Sequence, residues 1–238
     1  MFSKKFAMFI DLWRYAYGAE RSIDDKVCAD ASGDELPWYT YPAIEFLRQF
    51  DYRQKSVFEF GAGYSSAFWA KRASKVTAVE NDEGWLKKWQ SELQLSNLQL
   101  LYRPELSDYA AAIAGDEKYD VIAIDGKSRE ECAFYAVQYL ADGGMIILDD
   151  SDRANKSQEY QKAIERLREA GLLQIDFFGC CPMNSFTKAT SIFFKRDFNF
   201  STLNKIQPAN AIGNLWSKTR RERKEFYKAG QGMRTDYL

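Results

Sequence analysis

The loop 61-GAGYSS-66 carries two glycines separated by one residue and follows a short apolar run that is typical of a buried strand. Gly61 and Gly63 let the backbone come close to a ligand, because glycine has no side chain in the way. The amides of Tyr64 and Ser65 would begin the next helix, and a helix N-terminus suits an anionic group. The loop is therefore predicted to lie beneath a bound ligand.

Three further residues indicate which ligand this loop holds. Glu80 ends the run 75-KVTAVE-80, about twenty residues beyond the glycines, where a carboxylate can accept hydrogen bonds from two ribose hydroxyls. Ser66 stands where a dinucleotide-binding loop has a third glycine or an alanine. Glu59 would repel a pyrophosphate, whereas it suits a ligand with an ammonium and a sulfonium. These residues favour S-adenosylmethionine over NAD.

From residue 56 onward, near-continuous apolar runs alternate with helix-like segments. This alternation predicts an α/β fold with a doubly wound, mostly parallel, seven-stranded sheet and helices on both faces. Only nine residues separate the last two strands, too few for a helical crossover, so they should pair as a C-terminal antiparallel hairpin. Gly143 or Gly144 should end the fourth helix. The predicted strands are 56–60, 75–80, 98–103, 119–125, 144–150, 172–179 and 189–196, and the predicted helices are 65–73, 83–93, 107–114, 129–141 and 155–170.

The sequence divides into three predicted parts. Residues 1–54 form a helical lead-in or cap with helices expected around 5–18 and 42–50, residues 55–197 form the ligand-binding core, and residues 198–238 form a basic tail. From Lys218 onward the tail has seven Lys or Arg against three Asp or Glu. It is interpreted as a solvated helix or an oligomer contact, which would allow a homodimer, in preference to a nucleic-acid-binding arm.

The composition excludes several classes of function. A net charge of −1 gives no overall attraction to nucleic acid or to an anionic membrane. The chain has no histidine, which rules out Ser-His-Asp and Cys-His catalysis, and its four cysteines lack the spacing of a metal site. Asp11 and Arg14 interrupt the apolar N-terminal run, so we expect no signal sequence, no membrane-spanning segment and a cytoplasmic protein.

Four strings occur in a characteristic order: V-F-E-F-G-A-G-Y-S-S, A-V-E-N-D, Y-D-V-I-A-I-D-G and G-G-M-I-I-L-D-D. Together they resemble the motif series of class I S-adenosylmethionine-dependent methyltransferases, over roughly residues 55–197. The resemblance implies S-adenosyl-L-methionine as cofactor, with Glu59 and the glycines at its methionine half and Glu80 at its ribose. The cofactor-binding residues predicted in this way are Glu59, Gly61, Gly63, Tyr64, Ser65, Glu80, Asn81 and Asp125.

Acids stand at the ends of the fourth and fifth predicted strands and allow three interpretations of the chemistry. In the first, the arrangement is similar to that of metal-dependent catechol O-methyltransferases, and Asp125, Asp149 and Asp150 hold Mg²⁺. Two departures from that pattern are Asp150, where asparagine is usual, and Ser128, where a lysine is expected.

In the second interpretation the site has no metal. Asp125 or Asp149 then acts as the base, and Arg129 or Arg153 binds an anionic substrate. Lys127 is a further catalytic candidate beside them. In the third interpretation the acids are structural, and Asp149, Ser151 and Asp152 cap the following helix.

Two segments are candidate walls for the substrate. The segment 37-PWYTYPAIEFL-47 precedes the first strand, and its residues Trp38, Tyr39 and Tyr41 could contact the substrate. The hairpin loop 180-CCPMNSFTK-188 should rise near the same strand ends.

The leading hypothesis is a methyltransferase that transfers a methyl group to an oxygen of a small molecule, with neither nucleic acid nor membrane as partner. The alternatives are a cofactor-binding pseudoenzyme, an aminopropyl transferase, an RNA or protein methyltransferase and an NAD-dependent oxidoreductase.

Overall fold

The structure is a computed structural model that describes residues 3–212 and residue 214. Seven strands form one sheet, and their bounds are β1 (Ser56–Phe60), β2 (Lys75–Glu80), β3 (Leu98–Tyr102), β4 (Tyr119–Ile124), β5 (Leu140–Asp149), β6 (Leu173–Cys180) and β7 (Thr187–Phe194). The spatial order of the strands is β3-β2-β1-β4-β5-β7-β6.

Eight α-helices surround the sheet in the described part of the chain. They are α1 (Lys4–Asp11), α2 (Ala19–Asp24), α3 (Tyr41–Leu47), α4 (Tyr64–Ala70), α5 (Glu83–Glu92), α6 (Leu106–Ala111), α7 (Arg129–Tyr139) and α8 (Gln158–Glu169). A π-helical turn (Leu12–Ala16) extends α1, and a 3₁₀ turn (Ser151–Asn155) precedes α8. Within residues 3–212 and residue 214, no helix is both long and apolar enough to cross a membrane.

The strand directions confirm the predicted fold class. Strands β1 to β5 are parallel, and β7 runs antiparallel to both β5 and β6. From β1 the chain winds outward to β3 and then returns to β4 on the other side of β1. The winding direction therefore reverses between β1 and β4, and ligands of open α/β sheets bind at the carboxyl ends of strands at such a point.

Both faces of the sheet are covered, because alternate residues of each strand point to opposite sides. On one face, Val57, Val121 and Ile147 pack in a core with side chains of α3 and α4. On the other face, Phe58 and Ile122 pack with side chains of α6, α7 and α8. Burial on both faces explains why β1, β4 and β5 are almost uninterrupted apolar runs.

Helix α7 ends earlier than predicted. Its last residue is Tyr139, and Leu140 is already extended, buried and paired with Tyr119 of β4. Gly143 therefore ends no helix; it lies within β5 with φ of +66°, where a side chain would collide with Asn199. Burial of Leu140 beside β4 is the physical reason why the chain leaves the helix before the glycines.

The N-terminal helix and the segment after β7 also differ from the predictions. The helix expected around residues 5–18 changes to a π-helical turn at Leu12, and α2 was not predicted. The predicted tail begins as part of the core, since Phe200 is only 7% exposed and packs on Tyr52. Lys218 and the basic residues that follow it lie outside the described residues.

Replacing Phe200 by alanine should destabilise the whole fold. The Phe200 ring also lies 4.8 Å from the ring of Phe198, so truncation would leave a cavity, and we expect a loss of about 3 kcal/mol in the free energy of unfolding. Urea denaturation measures this loss. Ile206→Ala is the control in the same segment, because Ile206 is 81% exposed and should change stability by less than about 0.5 kcal/mol. Equal stability of the two variants would show that this segment is not part of the core.

Candidate functional site

A cleft of about 800 Å³ opens at the carboxyl ends of β1, β2, β4 and β5, beside the point where the winding reverses. One side, here called the glycine-loop side, consists of residues 61–65 and 80–85. The opposite side, here called the carboxylate side, contains Asp125, Asp149 and Asp150 with the hairpin loop 180–188. Of the site residues predicted from the sequence, those that line the cleft are Trp38, Gly61, Gly63, Tyr64, Ser65, Glu80, Asn81, Asp125, Lys127, Arg129, Asp149, Asp150 and Arg153.

Gly61 joins the two sides of the cleft. Its φ of +99° lies in a region that favours glycine, and a Cβ there would stand 3.0 Å from the backbone oxygen of Asp125. The amide of Asp125 donates to the carbonyl of Phe60 at 3.0 Å, while the amide of Gly61 donates to Val79 at 2.9 Å. Glycine is therefore required at position 61 because the loops after β1 and β4 touch there.

No contact within the protein requires glycine at position 63. Its φ of 178° is extended backbone that any residue adopts, and an added Cβ would meet only Ser65 Oγ at 3.9 Å. Gly63 lines the cleft, so a side chain there would occupy cleft volume instead of colliding with the protein. The absence of a side chain at position 63 keeps this part of the cleft open for a ligand.

Glu59 lies behind the glycine loop, not at the cleft surface as predicted. It is fully buried, and it accepts a hydrogen bond from Ser66, whose Oγ in turn accepts from the amide of Gly63 at 3.1 Å. The second carboxylate oxygen of Glu59, Oε1, is buried without a hydrogen-bond partner. Ser66, which departs from the dinucleotide pattern, thus connects the acid to the loop and fixes the loop's conformation.

Glu80 is held by the backbone of its own surroundings. Its Oε2 accepts from the amide of Ala62 at 3.2 Å, and its Oε1 accepts from the amides of Asn81 and Asp82 at 2.8 and 2.9 Å. A carboxylate has about four acceptor positions, so one remains after these three bonds. Glu80 lines the cleft and is therefore oriented to accept from a ligand hydroxyl.

Aromatic side chains close the outer end of the glycine-loop side. Trp85 lines the cleft, and its indole N–H donates to the carbonyl of Ala62 at 2.6 Å. The ammonium of Lys88 lies 4.8 Å from the Trp85 ring and 5.7 Å from the Tyr64 ring. Asp82 caps α5 by accepting from the amide of Trp85 at 2.7 Å, and it is not among the residues that line the cleft.

Arg129 is a structural residue of the carboxylate side, which corrects its predicted role in binding substrate. It is 5% exposed, and its guanidinium donates to the carbonyls of Gly126, Ile124 and Asp149. It also contacts Asp125 Oδ1 at 3.3 Å. With these donors directed at the protein, Arg129 connects the ends of β4 and β5 and compensates the charge of Asp125.

Lys188 occupies the space between Asp149 and Asp150. Its ammonium donates to Asp149 Oδ2 and lies 2.9 Å from Asp150 Oδ1. Asp150 also pairs with Arg153, whose guanidinium lies 2.9 Å from Asp150 Oδ2. Burial alone would lower the pKa of Lys188, but Asp149 and its acidic neighbours outweigh burial and raise it. Lys188 is therefore a charged internal partner of both acids.

This arrangement does not support the predicted Mg²⁺ site at Asp125, Asp149 and Asp150. Among the described residues, no group of three or more acids or thiols is placed to hold a metal ion. The physical reason is that the lysine ammonium and the Arg129 guanidinium already use the carboxylate oxygens. The sequence shows the acids but does not show which cation lies between them.

Of the acids on this side, Asp149 is the best suited to exchange a proton. It is 1% exposed, lines the cleft, and its Oδ1 accepts from the hydroxyl of Thr190 at 2.6 Å. Burial and the nearby charge of Asp125 raise the pKa of Asp149 to about 7, although Lys188 acts in the opposite direction. A carboxylate with that pKa can accept or release a proton near neutral pH.

The acids do not cap the following helix as the structural interpretation proposed. Ser151 donates to the carbonyl of Ala189 at 3.3 Å, and Asp152 accepts from the amide of Ala189 at 3.0 Å. The N-cap residue of α8 is Ser157, without a side-chain cap bond. Ser151 and Asp152 therefore attach the end of β5 to β7, the strand that carries Lys188.

Only one of the three predicted substrate-contacting aromatics reaches the cleft. Trp38 lines it and is 41% exposed. Tyr39 and Tyr41 are buried in the core, where Tyr41 packs against Trp13 and Tyr17. Tyr41 already begins α3, so the three aromatics point in different directions, and the sequence alone does not show which of them faces the cleft.

The loop 180–188 does line the cleft, through Met183, Asn184, Phe186 and Lys188. Further lining residues were not predicted, and no single sequence signal marks them, since some follow strand ends and others lie in or after helices. These residues are Lys26, Trp85, Lys88, Gly126, Glu159 and Tyr160.

Non-glycine residues with a left-handed backbone gather around the cleft. Lys26, Asp150 and Met183 have φ of 54°, 55° and 65° and line it, and Ser128, with φ of 48°, stands between two lining residues. Such conformations each cost about 1–3 kcal/mol and persist only where the surrounding fold enforces them. The loops around the cleft are thus held in specific conformations.

Comparison with solved structures identifies the fold. A proposed O-methyltransferase from Klebsiella pneumoniae is 18% identical, with a TM-score of 0.51 over 77% of this chain and 89% of that chain. The chain has the fold of the class I methyltransferases. Fibrillarin from Aeropyrum pernix, in complex with natively bound S-adenosyl-L-methionine, is 15% identical, with a TM-score of 0.49 over 66% of this chain and 76% of that chain. No family model and no curated protein sequence matches the chain.

Glu59→Gln should change how stability depends on pH. Burial raises the pKa of Glu59 from 4.5 to about 8, so between these pH values the native protein binds a proton that the unfolded chain has released. Wild-type stability should therefore fall as pH rises through this window, and the variant should lack this contribution. Urea denaturation at pH 5 and pH 9 measures the difference, with the exposed Glu92→Gln as control. Parallel pH profiles of wild type and Glu59→Gln would contradict the assignment.

Proposed function

We propose that this protein is an S-adenosylmethionine-dependent methyltransferase that acts on an oxygen atom of a small molecule. The observation that carries the proposal is the glycine-loop side of the cleft. There, an open position at Gly63 lies next to a carboxylate, Glu80, that three backbone amides orient.

The residues of this side fit the cofactor's chemical groups. Glu80 has acceptor capacity left for a ribose hydroxyl, and Asn81 and Trp85 flank the same end of the cleft. Oε1 of Glu59 lies buried behind the loop, where a cationic ligand would favour the ionised carboxylate and a pyrophosphate would oppose it. When bound, the cofactor supplies a methyl group on a sulfonium, so the protein mainly has to orient an acceptor and manage its proton.

The carboxylate side contains the group that would hold the proton released by the acceptor. Asp149 lines the cleft with a pKa of about 7, and is thus suited to hold the proton of an acceptor hydroxyl. Its orientation is fixed, because Thr190 donates to it and itself accepts from the amide of Thr40 at 3.0 Å. Trp38 and Phe186, which are 41% and 60% exposed, offer apolar walls for a small organic acceptor.

The first test is ligand binding followed by thermal denaturation. S-adenosylhomocysteine at one hundred times its Kd should stabilise the protein by about 2.7 kcal/mol, and NAD should not. With S-adenosylmethionine bound, a panel of small hydroxyl compounds should include acceptors that release S-adenosylhomocysteine. Stabilisation by NAD alone, or by neither ligand, would contradict the proposal.

Gly63→Ala tests the position of the ligand. The backbone at residue 63 tolerates alanine, so the melting temperature of the ligand-free protein should stay near that of wild type. The new methyl group would occupy cleft volume, and we expect the Kd for S-adenosylhomocysteine, measured by calorimetry, to rise at least about tenfold. Gly115→Ala is the matched control, because a Cβ there meets nothing within 4 Å and Gly115 lies outside the cleft. Unchanged affinity in Gly63→Ala would place the ligand elsewhere.

A further inference from the structure

The carboxylate side of the cleft contains a buried lysine ammonium. Lys188 is 8% exposed. Its ammonium lies between Asp149 and Asp150, at the position where the acids alone suggested a divalent ion. A buried ammonium between two carboxylates is held by both of them, so its position is specified by the fold and not by a flexible side chain.

The strand register fixes this position. Asp149 of β5 lies opposite Thr190 of β7, and Lys188 is two residues before Thr190, so both side chains leave β7 on the same face. The hydroxyl of Thr190 donates to Asp149 Oδ1, so Asp149 Oδ2 is left to accept from Lys188. Thr190 is itself anchored by the amide of Thr40. The acid and the ammonium are thus oriented together.

The ammonium retains a donor for a ligand. A lysine ammonium has three N–H donors, and the hydrogen bonds of Lys188 within the described residues use two of them, to Asp149 and Asp150. Lys188 lines the cleft, and its Nζ lies 6.0 Å from the ring centre of the exposed Trp38. A ligand oxygen that packs beside Trp38 therefore lies within reach of the third N–H.

We propose that Lys188 takes the place of a divalent ion in the acceptor site, compensating Asp149 and Asp150 and donating its third N–H to the acceptor oxygen. This inference rests on the proposed function, because it names how the acceptor is held. An ammonium offers single hydrogen bonds and no open coordination positions. The site is therefore suited to an acceptor with one anchored oxygen, and not to one that must be chelated through two.

The test uses Mn²⁺ alone as probe on the full chain, with free Mn²⁺ measured by electron paramagnetic resonance. Lys188→Ala vacates the cation position and leaves carboxylate oxygens, the ligands that Mn²⁺ prefers, so it should bind one Mn²⁺ at least about tenfold more tightly than wild type. Lys188→Arg keeps the positive charge and should not gain binding. Lys188→Ala combined with Asp149→Asn should lose the gained binding.

Two outcomes would overturn the inference: stoichiometric Mn²⁺ binding by wild type, or no gain in a folded Lys188→Ala. Lys188→Ser replaces the alanine variant if that variant does not fold, and circular dichroism decides this. Kinetics supply a readout that a merely structural lysine would not move. With an acceptor from the panel, Mn²⁺ should restore kcat/KM to Lys188→Ala and leave wild type unchanged, and failure of this rescue also counts against the inference.

S-adenosylhomocysteine binding separates this inference from the proposed function. Lys188 lies on the opposite side from Gly63 and Glu80, so the variants should bind that ligand with wild-type affinity. If wild type itself fails to bind it, the proposed function is wrong, while the Mn²⁺ experiment still decides whether Lys188 occupies a cation position.

Discussion

The crowding of three aspartates at the ends of β4 and β5, with Asp149 buried and Asp125 and Asp150 half-buried, is the constraint on which the rest of the site depends. Charged carboxylates in a protein interior are costly unless cations and hydrogen bonds compensate them. Arg129 compensates Asp125 while it binds three backbone carbonyls, and Lys188 compensates Asp149 and Asp150. The antiparallel hairpin therefore has a chemical role as well as a structural one, since β7 delivers the lysine that the ends of β4 and β5 require.

The two sides of the cleft are built from different kinds of groups and meet at one contact. The glycine-loop side is built mainly from backbone, where Glu80 is oriented by amides and Gly63 leaves space. The carboxylate side is built from side-chain charges. The close approach of Gly61 to the backbone of Asp125 connects them, so the proposed cofactor and acceptor positions lie at a fixed separation. This is the arrangement that transfer of a small group between two bound molecules needs.

Local patterns made most of the fold and the glycine-loop side predictable from sequence. The bounds of β1 and β2 agree with the apolar runs, because strands buried on both faces have no polar alternation to obscure their ends. The environment of Lys188 was not predictable, since it depends on the register of Asp149 with Thr190, two residues 41 positions apart. Likewise, the roles of Arg129 and Tyr39 follow from burial by distant segments, which residue type and spacing do not reveal.

A crystal structure of the protein grown with S-adenosylhomocysteine and Mn²⁺ would show where the ligand and the cation lie in the cleft. We expect the ligand above Gly61 and Gly63 with a ribose hydroxyl on Glu80, and Lys188 between Asp149 and Asp150 with no anomalous manganese signal beside them. A ligand bound elsewhere, or a manganese ion between the two aspartates with Lys188 displaced, would contradict this expectation.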